Sequence, residues 1–160
     1  MISKTKVFKP LIRKAGFDDL DVIHSLDQRL FPPGIRFDIE MFYFHLVDSA
    51  STILIAEEKD FIGGFVIFER LSPKVGIIVT IDVTPELQGR GIGAKLMGAV
   101  SKLAERSGLR WIILQVSTEN LVARRFYEKQ GYVVTRLLKG YYQGREDAWE
   151  MKRKLVNQPL

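Results

Sequence analysis

The sequence predicts one mixed α/β domain spanning residues 1–160, and three observations lead to it. A chain of 160 residues with 46% hydrophobic and 27% charged side chains can bury one ordinary core and is too apolar for bulk disorder. Apolar residues recur at helical spacing in some stretches and at strand spacing in others, in alternation along the chain. The connections inside the central β-rich stretch are short and polar, which joins neighbouring strands in an antiparallel meander.

Taken in order, residues 11–13 form a short strand. Residues 18–31 carry Leu20, Ile23, Leu26 and Leu30 at helical spacing, with Asp18 as N-cap and the Phe31-Pro32-Pro33-Gly34 run as the stop. A second helix covers 38–47 and is heavily aromatic at Phe42, Tyr43 and Phe44. Strands follow at 52–56, 61–68 and 75–83, then a glycine-rich loop at 88–93 and a helix at 92–107 stopped by Gly108. A strand at 111–116, a helix at 120–130 stopped by Gly131, and strands at 132–137 and 148–155 complete the order β α α β β β α β α β β. The first few residues and 157–160 read as loose ends.

Composition removes several chemistries. Without cysteine there is no disulfide, no thiolate nucleophile and no cysteine-ligated metal. The two histidines, His24 and His45, are spaced unlike a ligand pair, so no metal is expected. No membrane-length apolar run and no signal-peptide pattern is present, which makes the cytoplasm the expected location, with no membrane partner. The net charge of +5 suits a phosphorylated ligand as well as nucleic acid; the interleaved basic and aromatic residues of a nucleic-acid reader are missing, so no nucleic-acid partner is expected.

The segment from Ile81 to Leu96 runs from a strand through a glycine-rich turn into an amphipathic helix, an arrangement whose free backbone N–H groups and helix dipole favour phosphate. A mononucleotide P-loop fails here, because Leu96 stands where Lys95 should be followed by Ser or Thr. The dinucleotide pattern G-x-G-x-x-G/A is met by Gly89, Gly91 and Ala94, but it follows a meander instead of opening a parallel sheet. A third pattern, Q/R-x-x-G-x-G/A, is met by Gln88, Gly91 and Gly93. At these residues the chain resembles the GNAT family of acyl-CoA-dependent N-acetyltransferases, and the order of elements over nearly all of the chain is similar to that family's. The resemblance implies acetyl-CoA as co-substrate, its pyrophosphate wrapped by the backbone amides of Gly89, Arg90, Gly91, Ile92, Gly93 and Ala94. Arg90, Lys95 and Arg124 stand nearby as further contributors of positive charge. It further implies that Ile81, Asp82 and Val83, at a splayed strand end, bind the pantetheine arm, with the Val83 N–H polarising the thioester.

Asn120, Ala123, Phe126, Tyr127, Gly131 and Tyr132 match the family's second signature, N-x-x-A-x-x-F/L-Y-x-x-x-G-F/Y. The resemblance gives Asn120 a hydrogen bond to the cofactor and makes Tyr127 the general acid for the departing thiolate; the alternative is a tyrosine that only packs on the core. Within the family the chain resembles RimI-like N-terminal acetyltransferases through Phe31 and Pro32 and through Tyr141 and Tyr142, which would flank a protein or peptide N-terminus, a ribosomal protein being one such acceptor. Residues 144–147 would otherwise read as a plain hairpin turn, and the two tyrosines as ordinary strand residues.

One position departs from the pattern: Gln115 stands where RimI-like enzymes place a glutamate base, and a neutral amide takes no proton from an ammonium. Asp82 is the first replacement candidate, with Glu119 and His24 behind it; a strand-end aspartate also serves as a turn former or ion-pair partner. A weak base favours an α-amine, roughly a quarter neutral at pH 7.4, over a lysine amine, of which about one part in a thousand is neutral. The alternatives to an N-terminal acetyltransferase are an enzyme for a small-molecule amine or lysine side chain, and a non-catalytic acyl-CoA sensor. The aromatic second helix leaves monomer and homodimer both open.

Overall fold

The computed structural model describes residues 7–156. The predicted loose ends at 157–160 and before residue 7 lie outside the described residues. The order of elements is β1 (Leu11–Lys14), α1 (Leu20–Leu30), α2 (Ile39–Val47), β2 (Ser51–Glu58), β3 (Phe61–Arg70), β4 (Val75–Val83), α3 (Ile92–Arg106), β5 (Trp111–Ser117), α4 (Leu121–Lys129), β6 (Val133–Tyr142) and β7 (Glu146–Lys154). This is the predicted order. The strands form one seven-stranded sheet ordered β1-β2-β3-β4-β5-β7-β6, in which β4–β5 is the parallel pair.

Both faces of the central sheet are covered, which explains the continuous apolar runs of β2 and β3. Successive residues of a strand point to opposite faces. Ile53, Ile55, Phe65 and Ile67 therefore pack beneath α1 and α2 with Ile23, Leu26 and Phe42. Leu54, Ala56, Val66 and Phe68 join Leu96, Met97, Val100 and Ala104 of α3 on the other face. Among the described residues no helix is long and apolar enough to cross a membrane.

Three local readings need correction. Asp18 does not cap α1: residues Phe17–Asp19 make a separate 3-10 turn, in which the Asp19 carboxylate accepts from the Gly16 N–H and from Arg13, so α1 begins at Leu20. The last two strands extend to Tyr142 and from Glu146, because their pairing continues past the apolar stretch that marks them in the sequence. Their turn is consequently shorter than 144–147, with Gln143 and Gly144 both in the left-handed region that a tight hairpin demands.

Two irregularities in β4 create the site. The strand pairs with β5 only over Val75–Ile77, whereas on its other side it stays on β3 as far as Val83 opposite Gly64. Beyond Ile77 the sheet therefore opens. A bulge at Val79 also intervenes: Ile78 lies opposite Phe68, but Thr80 lies opposite Ile67 and Asp82 opposite Phe65. Without the extra residue, Thr80 and Asp82 would point the same way as Ile78, toward α3. The bulge turns both onto the α1/α2 face.

Candidate active site

The gap between β4 and β5 exposes backbone groups inside the sheet. Thr84 donates to the Gly63 carbonyl at 2.9 Å, so on the alternating antiparallel ladder Ile81 and Val83 turn their N–H and C=O groups away from β3, into the gap. The Val83 carbonyl already accepts from the Gln88 side chain at 3.0 Å, tying the start of the glycine loop to the strand end. This free inner edge can take an extended ligand carrying alternating amide donors and acceptors.

The glycine loop continues from that edge. Gly89 and Gly91 have φ of +72° and +81°, and a Cβ at either would meet no atom within 4 Å, so glycine is required there by backbone conformation and not by crowding. Lys95 is the first residue of α3 to donate along the helix, to Gly91 at 3.1 Å. The N–H groups of Ile92, Gly93 and Ala94 accordingly lack intrahelical acceptors, and among the described residues no side chain caps them. Three aligned donors at the positive end of a fifteen-residue helix form a phosphate cradle. Strand edge and cradle together fit a long ligand with an amide-bearing arm and a phosphorylated end, as coenzyme A has.

On the α1/α2 side the gap opens into a groove of about 1100 Å³. Of the residues singled out in the sequence, Phe31, Pro32, Ile81, Gln115, Glu119, Asn120, Ala123, Tyr127, Tyr141 and Tyr142 line it; His24, Asp82, Val83 and residues 88–94 do not. One wall is the loop after α1 together with α2, and the other is the β6–β7 hairpin. Gln143 Nε2 donates to the Gly34 carbonyl at 2.7 Å, joining the two walls into a strap. Nothing local in the sequence signals that contact between residues 109 positions apart.

Tyr127 is 9% exposed and packed edge-on against Phe126 and Tyr132. Burial, and secondarily the charge of Asp82, holds its phenol well above its ordinary value, so it remains a proton donor. Asn120 Oδ1 accepts from the Ala123 N–H at 3.0 Å, capping α4; the amide Nδ2 is left for a ligand.

Asp82 is 2% exposed, and its Oδ2 has no partner among the described residues. Burial, and then the nearby Asp27 carboxylate, push its pKa up to about 8, against the Thr80 hydroxyl that donates to Oδ1 at 3.1 Å. Thr80 lines the groove, so it connects Asp82 to it. The sequence reading missed both Thr80 and Asp27. Asp27 is buried with Oδ2 accepting from the Phe37 N–H, and its signal was a carboxylate within the apolar stripe Ile23, Leu26, Leu30. Gln115 lines the groove as well, and lies opposite Glu150 on β7. That glutamate does not replace the missing base, because Arg136 holds its carboxyl below the usual range.

Comparison with known proteins agrees with this geometry. The model of the acetyltransferase (GNAT) family matches residues 20–132. An uncharacterized N-acetyltransferase of Methanocaldococcus jannaschii is 27% identical over 148 residues, covering 92% of this chain and 93% of its own. An N-alpha-acetyltransferase of Saccharolobus solfataricus is 27% identical over 156 residues, covering 90% and 92%. The crystal structure of the ribosomal-protein-S18-alanine N-acetyltransferase from Escherichia coli shares the fold with a TM-score of 0.82, at 22% identity over 94% of this chain and 97% of that one. With the glycine cradle, the open strand edge and the second signature in one domain, the chain belongs to the GNAT family and is an N-acetyltransferase that uses acetyl-CoA.

Proposed function

We propose that the acceptor is the N-terminal α-amine of a protein or peptide. The observation that carries this reading is the strap between Gln143 and Gly34, which ties the groove walls together so that an acceptor enters most readily as a chain end. The relative from Saccharolobus solfataricus, named for that activity, supports it.

Bound acetyl-CoA supplies an activated thioester. The residues of the chain do the remaining work: the amides of Ile92, Gly93 and Ala94 hold phosphate, the Ile81 and Val83 edge orients the amide-bearing arm, and Tyr127 donates the proton that the leaving sulfur needs. Asp82 receives the proton of the amine through the Thr80 hydroxyl. Burial makes Asp82 a stronger base than an ordinary carboxylate, and a lysine ammonium gives up its proton roughly 3 kcal/mol less readily than an α-ammonium. The cytoplasm is where we place this reaction.

The deciding experiment is mass spectrometry of a peptide library incubated with protein and acetyl-CoA. Products should carry acetyl on the α-amine, and the same peptides with blocked N-termini should be inert. Acetylation of lysine side chains in the blocked set would refute the reading. The cradle has its own test: Gly91→Ala puts a side chain at φ +81°, costing about 1–2 kcal/mol, and should raise the KM for acetyl-CoA several-fold while lowering Tm by a few degrees.

A further inference from the structure

We propose that the acceptor groove selects N-termini with a lysine or arginine at about the third to fifth residue; this deepens the N-terminal reading and rests on it. The chain is basic, with 24 Lys and Arg against 19 Asp and Glu, yet among the described residues no Lys or Arg lines the groove. Four carboxylates do: Asp27, Glu69, Glu119 and Glu146. The charges are thus sorted by ligand. Cations such as Arg90 and Lys95 accompany the phosphate cradle, whereas the acceptor side presents hydrogen-bond acceptors and negative charge.

The far end of the groove shows this independently. His45 lines it and is 3% exposed. The Ser51 hydroxyl donates to Asp48 at 2.9 Å, so Ser51 Oγ accepts from the His45 Nδ1–H at 3.0 Å, and the lone pair of Nε2 is left buried without a donor. Glu69 stands 4.0 Å from the same ring. The lone pair of Nε2 calls for an N–H donor, and Glu69, 4.0 Å from Nδ1 of the same ring, for positive charge. Among the salt bridges of the described residues, Glu119 and Glu146 have no cationic partner either, although Glu146 accepts from the Ser117 hydroxyl.

Spacing sets the position of the charge. Glu69 lies opposite Ile77 in the β3–β4 register, and Ile81, beside the reacting end, is four residues further along. Because the bulge at Val79 lies between them, that separation matches three residues of β3, Glu69 to Val66, or roughly 10 Å, about the length of three residues of an extended peptide.

The test is a positional scan of one N-terminal peptide, with Lys, Ala or Glu placed in turn at positions two to seven, reading kcat/KM for α-amine acetylation. Lysine at position three, four or five should exceed glutamate there by about tenfold, and the ratio should shrink as salt is raised from about 0.05 to 0.5 M. Glu69→Lys should invert the preference. Because that residue is half-buried and the variant could misfold, Glu119→Lys, at an exposed position, is the second probe and should reduce the same ratio. Equal turnover of the lysine and glutamate series would overturn the inference and leave N-terminal acetylation standing. Turnover of polyamines with every peptide inert would overturn both.

Discussion

Tyr127→Phe is expected to lower kcat by about 10²–10³-fold, with an equal drop in kcat/KM. The phenol lines the groove, and burial keeps it protonated across the working pH range. Phenylalanine keeps the edge-on contacts with Phe126 and Tyr132 but has no proton to give. Tm should consequently move by no more than about 2 °C, and the affinity for acetyl-CoA should hold, since neither the cradle nor the strand edge is touched. Steady-state kinetics, calorimetry and acetyl-CoA titration check the three statements separately. Retention of more than about a third of wild-type kcat would remove the phenol from the chemistry and leave it a packing residue.

What the sequence made legible was whatever depends on near neighbours. The runs Ile53 to Ala56 and Phe65 to Phe68 announce strands covered on both faces, and the register of Asn120 with Tyr127 is a helical spacing. The glycine pattern at Gly89 and Gly91 is readable because φ > 0 has few other solutions. The bulge at Val79 was hidden, because Ile77, Ile78, Val79 and Ile81 are all apolar and give no alternation to slip against; only the pairing with β3 defines the extra residue. The strap from Gln143 to Gly34 and the approach of Asp27 to Asp82 are likewise tertiary facts, set by where α1 lands on the sheet. The glycine turn and the strand end were therefore readable as local structure. The acceptor half, built from side chains that meet only after folding, was reduced to Phe31, Pro32 and the two tyrosines.

Asp82→Asn should move activity and stability in opposite directions. Turnover at pH 8 should fall about 10²-fold, because the amide cannot accept the amine proton that reaches it through Thr80. Stability depends on the sign of the shift. The folded value, about 8, lies above the unfolded one, so the contribution of Asp82 to stability is fully present below the ordinary carboxylate pKa near 3.9 and is lost progressively as pH rises through about 8. Asparagine removes the titration. At pH 9 the variant should accordingly melt several degrees above the wild type, and near pH 4 the two should converge. The wild-type log kcat/KM should climb through pH 8 on the ionisation of Asp82, because an ammonium facing the ionised carboxylate is already a reactive pair, while the residual rate of the variant follows the amine alone. Thr80→Val separates relay from carboxylate: it keeps the volume and the buried Asp82 but breaks the path to the groove, so it should lose activity without gaining alkaline stability. Full activity in Asp82→Asn combined with a raised Tm would make the carboxylate a structural burden only, and the proton would then leave through solvent in the groove.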